Sequence, residues 1–213
     1  MNEIMPGLHH WQAFNSHIDH DVDSYHVALE PPVVIDPMLP QEGIDWFGGG
    51  RQPAHVYMTN RLHDRDCQQF IDAFGATVWC HRAGLHEFGD DGLQVTPFEH
   101  GDELPGGVKA LEVGVLCPEE TALLIPLADG VLAVGDALVR WDGEIGFVPD
   151  YLLGDAPAAI KAGIRDAFLR ICDGFDFDHL LFAHGDPLIV GGKAQLRNAL
   201  EKMLRAIDAD LIA

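Results

Sequence analysis

Val131-Leu-Ala-Val-Gly-Asp-Ala-Leu138 is the stretch on which the fold turns. Its apolar run reads as a strand, and the strand ends in a Gly-Asp pair that folding alone does not call for. Leu180-Leu-Phe-Ala-His-Gly-Asp-Pro187 has the same form, an apolar strand followed by a turn that carries His184. Thr59-Asn-Arg-Leu-His-Asp-Arg-Asp66 is a third polar loop, placed after the strand-like run His55-Val-Tyr-Met58. Residues at strand C-termini converge on one edge in layered α/β folds, so these three loops are where a site is expected.

The neighbouring segments supply the layers. Tyr25–Leu29 and Val33–Ile35 read as strands joined by a turn at Glu30-Pro-Pro32, and Gln41–Phe47 as a short helix stopped by three glycines. Asp66–Phe74 has helical spacing with Gly75 just past its end, and Thr77–Cys80 completes a strand–helix–strand unit. Further strands are expected at Leu93–Thr96, Val108–Val113, Thr121–Ile125 and Phe177–Ala183. Helices are expected at Ala156–Leu169 and Lys193–Leu204. Many central strands with late, outer helices predict an α+β chain of two mixed β-sheets flanked by helices, a four-layer αβ/βα sandwich. The 213 residues fit one domain, with a core at about 24–204.

Composition chiefly excludes. Thirteen Lys+Arg against thirty-four Asp+Glu give a formal net charge of −21, which repels phosphate backbones and anionic membranes. Nucleic acid and membrane are therefore not expected partners, and a small-molecule ligand or substrate is. Nothing marks an assembly motif. No apolar run reaches the roughly 20 residues of a membrane span. The first fourteen residues lack a basic start and an apolar run, so a cytoplasmic location is expected. Cys67, Cys80, Cys117 and Cys172 form no C-x-x-C pair and read as reduced, mostly buried thiols. Twelve histidines raise the question of metal.

From Tyr25 to Leu204 the ordered series resembles the metallo-β-lactamase superfamily. Val33-Val-Ile-Asp-Pro37 is similar to its early strand ending in Asp, and Leu116-Cys-Pro-Glu-Glu-Thr121 to the segment that normally carries a histidine. Gly135-Asp136 resembles the metal-bridging Asp, and His184-Gly185 the late ligand histidine. The resemblance implies metal-dependent hydrolysis.

The Thr59–Asp66 loop departs from the T-H-x-H-x-D-H pattern of that superfamily. Anchored on Thr59, the first metal position falls on Asn60, Leu62 and Leu116, where leucine offers no lone pair and zinc wants about four N, S or O donors. The second position keeps Asp64, Asp136 and His184, a hard set suited to Zn, Fe or Mn, with Arg65 in place of the last histidine. A register shifted by one puts Arg61, His63, Arg65 and Asp66 at the motif positions instead. Both registers stay open at this level.

Three functional readings follow. The first is a metal-dependent hydrolase holding one divalent ion through Asp64, Asp136 and His184. The second is a metal-free binding protein, in which Arg65 or Arg61 pairs with Asp136 to form an Arg–carboxylate network. The third is metal-free catalysis with His184 or His63 as general base beside Asp136. Plainer roles compete: Asp64 and Asp66 as caps of the following helix, and His184-Gly-Asp-Pro187 as an ordinary turn. His9, His10, His17 and His20 are expected to be surface residues ahead of the fold, His81 and His86 surface residues, and His26 a satisfied sheet histidine. Trp141 and Phe147–Tyr151 are placed to roof the pocket.

Overall fold

The computed structural model describes residues 1–89 and 92–210, without the side chains of 204–210. Seven strands form the first sheet in sequence order: β1 (Asn2–Met5), β2 (Leu8–Asn15), β3 (His20–Val27), β4 (Val33–Ile35), β5 (His55–Tyr57), β6 (Thr77–His81) and β7 (Val95–Phe98). Pairing is antiparallel from β1 to β4 and parallel from β4 to β7. Helix α1 (Cys67–Phe74) makes the β5–β6 crossover and ends where Gly75 turns left-handed at φ 65°. The second sheet holds β8 (Glu103–Leu104), β9 (Val108–Glu112), β10 (Thr121–Ile125) and β11 (Val131–Val134). After it come a two-stranded ribbon, β12 (Val139–Trp141) and β13 (Glu144–Gly146), and helix α2 (Pro157–Gly174). Strand β14 (His179–Phe182) then pairs parallel to β11 at the second sheet's edge, and α3 (Gly192–Asp210) follows.

The apolar runs are continuous because these strands are covered on both faces. Successive side chains point to opposite faces of a strand, so each run divides between two cores. Val33 and Ile35 of β4 join Val131 and Ala133 of β11 and Leu181 of β14 in the core between the sheets. Val34, Val56, Val78 and Cys80 face outward onto Phe70 of α1 and Phe47. Leu132, Val134, Leu180 and Phe182 face outward onto Ile164 and Phe168 of α2 and Leu196 and Leu200 of α3. Three cores separate four layers, helix–sheet–sheet–helix, as the sequence predicts.

The amino terminus corrects the expectation that the fold begins near residue 24, because β1 and β2 are two strands of the first sheet. Trp11 is buried and donates from Nε1 to the Met38 carbonyl at 2.7 Å. His10 is buried against Asp23 at 2.6 Å, and His9 packs on Trp46. A buried polar residue beside Trp11 breaks the hydrophobic alternation, which is why the segment does not read as a strand. His17 and His20 are exposed, as expected. His81 is not a surface residue: it is buried and stacks on His100, centroids 3.9 Å apart. The segment read as a helix over 41–47 is a single 3₁₀ turn, Ile44–Phe47. Cys67, Cys80 and Cys172 are buried free thiols, and Cys117 is half-buried. Among the described residues no helix is long and apolar enough to cross a membrane.

Candidate metal centre

The loops after β4, β5, β11 and β14 meet at one edge of the two sheets, where parallel strands end. They bring His63, Asp136 and His184 together so that one donor atom from each lies within 4.8 Å of the others. Asp136 Oδ1 is 3.0 Å from Nε2 of His63 and 3.0 Å from Nε2 of His184.

A 3₁₀ turn over Arg61–His63 decides what the Thr59–Asp66 loop presents. Asn60 caps it, its side chain accepting from the Leu62 amide at 2.9 Å. In a 3₁₀ turn residues i and i+3 share a face, so Asn60 and His63 point inward together. Leu62 and Asp64 are not on that face: Asp64 is exposed, and Leu62 is exposed at the pocket's rim. The first register required a period of two over Asn60, Leu62 and Asp64; the turn has a period of three. The structure therefore takes Asn60 from one register and His63 from the other.

Asp64 thus does not join Asp136 and His184; it accepts the Arg65 amide at 2.9 Å in an exposed turn. Asp66 lies outside the pocket as well, and its side chain does not cap α1. It accepts from the Leu39 amide at 2.7 Å and from Gln69 Nε2 at 2.8 Å. Neither arginine pairs with Asp136. Arg61 pairs with Glu119 and Glu87. Arg65 donates from Nη1 to the carbonyls of Asp23 and Asp36 at 2.9 and 2.6 Å. Both line the pocket, as do Asn60 and the apolar chain of Leu116.

Three acids and a threonine support the triad without having been singled out as site residues. Asp36, just after β4 at φ 45°, accepts from the Thr59 amide at 2.9 Å and from its hydroxyl at 2.6 Å. Its Oδ2 is 3.1 Å from His63 Nδ1. Glu120 is fully buried and accepts from Asn60 Nδ2 and from the Ala137 amide, both at 2.8 Å. Asp23 accepts the Gly185 amide at 2.6 Å, which anchors the loop bearing His184. An Asp after a short apolar run and paired acids leading into a strand were the available signals for Asp36 and Glu120. Asp23, in the middle of a strand, gave none.

The charges are strongly coupled. Burial opposes ionisation of Asp136, yet the His63 charge and hydrogen bonds from both histidines hold its carboxyl well below the usual range. Burial also opposes a charge on His63, but Asp36 and Asp136 on its two sides raise it to about 10. Burial and then the Asp136 charge push Glu120 up to about 7.

No protein-family model matches the chain, and no curated protein matches it in sequence. Solved structures do. A di-iron-bound protein, TTHA1623, superposes with TM-score 0.64 at 21% identity, over 87% of this chain and 98% of its own. A metallo-β-lactamase family protein of Thermus thermophilus, TTHA1429, gives 0.66 at 15% identity over 97% and 81%. A HARLDQ-motif metallo-β-lactamase of Cronobacter sakazakii gives 0.62 at 17% over 98% and 93%. The chain has the metallo-β-lactamase fold. At these identities the likeness concerns the fold, and the chemistry must come from the site. Within this metallo-β-lactamase fold, the triad and its supports occupy the edge at which β4, β5, β11 and β14 end.

Proposed function

We propose that the protein is a small-molecule hydrolase using one divalent ion held by His63, Asp136 and His184. The observation that carries this reading is the convergence of three donors within 4.8 Å, with a carboxylate behind one imidazole. Two imidazoles and a carboxylate suit Fe²⁺, Zn²⁺ or Mn²⁺. A carboxylate on the far nitrogen of a ligand histidine fixes its tautomer and raises its basicity, and Asp36 stands there for His63. An ion so held supplies a Lewis acid and lowers the pKa of water.

The chain's own residues orient and enclose. Thr59 and Asp36 fix the His63 ring. Asn60 Nδ2 stands 3.4 Å from Asp136 Oδ2, on the oxygen the histidines leave free. Leu116 and Val148 make apolar walls that limit water around the reacting group. Support for one ion rather than two comes from the other expected position. There the Asn60 amide is committed to Glu120, and neither Leu62, at the pocket's rim, nor Leu116 has a lone pair.

The metal-free alternatives are less well supported. An Arg–carboxylate network needs an arginine on Asp136, and both candidates are engaged elsewhere. Held at about 10, His63 carries its proton at neutral pH and is a poor general base. Untagged protein should contain about one equivalent of Zn, Fe or Mn by elemental analysis, and chelation should lower its melting temperature. His63→Ala and His184→Ala should each abolish retention of the ion. Protein that takes up no ion and melts unchanged with chelator would remove this reading.

A further inference from the structure

Exposed large apolar side chains are normally scattered singly over a protein surface. Here, among the described residues, seven are exposed, and five of those line the pocket that holds the triad. They are Ile18 (53% exposed), Leu62 (54%), Trp141 (39%), Tyr151 (82%) and Leu152 (55%). Four separate segments contribute them: the β2–β3 hairpin, the 3₁₀ turn after β5, strand β12 and the turn over Asp150–Leu152. The pocket measures about 660 Å³, ordinary for a small-molecule site. Arg61 is paired with Glu119 and Glu87, and Arg65 donates from Nη1 to two backbone carbonyls while its Nη2 is buried without a hydrogen-bond partner. With a net charge of −21, the protein also repels polyanions.

We infer that the pocket takes an amphipathic substrate: an uncharged apolar acyl arm lying across this rim, joined to an ester that reaches the triad. This rests on the hydrolase reading and names its substrate class. Water gives its oxygen to the acyl carbon, the acyl–oxygen bond breaks, and the alcohol leaves with one proton. The acid releases the other proton to solvent. Each methylene covered by the rim strengthens binding roughly threefold to fourfold, the factor for burying one CH₂.

The test is a chain-length series read in two ways. Specificity, kcat/KM, is measured for p-nitrophenyl acetate, butyrate and octanoate, and binding of 1-butanol, 1-hexanol and 1-octanol is followed by tryptophan fluorescence. Both should rise with chain length, and the double variant Tyr151→Ser/Leu152→Ser should flatten both gradients. Val190→Ser, exposed but outside the pocket, should leave them unchanged. Turnover with no chain-length gradient overturns the inference and leaves the hydrolase reading standing. Graded alkanol binding without turnover supports the apolar arm and removes the hydrolase reading alone. No alkanol gradient overturns the inference whatever the turnover. If the protein then floats with phosphatidylcholine vesicles, the rim belongs to a membrane surface instead.

Discussion

Asp36 Oδ2 stands 3.1 Å from Nδ1 of His63, and the imidazole carries that contact through to Asp136 at 3.0 Å. A buried carboxylate thus orients a pocket histidine from behind. Asp36→Asn keeps the volume and removes the charge. Metal affinity should fall about 10- to 100-fold, the usual effect of losing such a partner. Competition against a chelator of known affinity measures it; a change under twofold would show that Asp36 only supports the loop.

Metal uptake should release protons. In the metal-free protein His63 keeps its proton to about pH 10, and a ligand nitrogen must give it up. The apparent affinity for Zn²⁺ should therefore rise with pH, by up to about tenfold per unit from neutrality upward. Calorimetry in buffers of different ionisation enthalpy counts the protons. Uptake without proton release would exclude His63 as a ligand.

Asp23 holds the His184 loop through the Gly185 amide. Its two oxygens accept from the Gly185 amide and meet His10 Nε2, each at 2.6 Å. Asp23→Ala leaves both buried partners unsatisfied and should destabilise the fold by roughly 2–4 kcal/mol. Metal affinity should fall in the same variant, because His184 loses its anchor. Denaturant unfolding and metal titration together distinguish this from a purely global loss.

Gly185 itself is fixed by space. A Cβ there would lie 2.0 Å from the Arg140 carbonyl oxygen, at φ +117°. Gly185→Ala should destabilise by about 2 kcal/mol or more, and melting of the variant checks it. An unchanged midpoint would mean that the close approach of Gly185 to the Arg140 carbonyl is dispensable.

His26 gives an acid-sensitive component of stability remote from the pocket. Burial is the main cause that lowers it to about 4, while its Nε2 meets the Arg51 carbonyl at 3.0 Å. Its folded value lies below the unfolded one of about 6.5, so this stability is complete above pH 6.5. It is lost as pH falls from there toward 4, at up to about 1.4 kcal/mol per unit. The difference in unfolding free energy between wild type and His26→Phe should shrink across that window. A constant difference would mean that His26 is not held neutral.

Much of the layer architecture was legible because apolar runs and helical periods are local. The segments at Val131–Val134, His55–Met58 and Ala156–Leu169 became β11, β5 and most of α2 within a few residues. The first two strands were not legible, since His10 is stabilised in the sheet by Asp23, a partner the local pattern does not show. Asp136 and His184 were legible as pocket residues, each being a polar residue just after an apolar strand.

The sequence by itself determined the layers, the strand ends and the presence of acids and imidazoles on three loops. Only the tertiary structure decided which of those side chains meet. Thr59–Asp66 offers Asp64, Arg65 and His63 with equal plausibility in one dimension. The 3₁₀ turn, pinned by Asn60 at one end and by Thr59 on Asp36, sends His63 inward and Asp64 out. Its period of three rather than two depends on contacts with a residue 23 positions away, which no local pattern encodes.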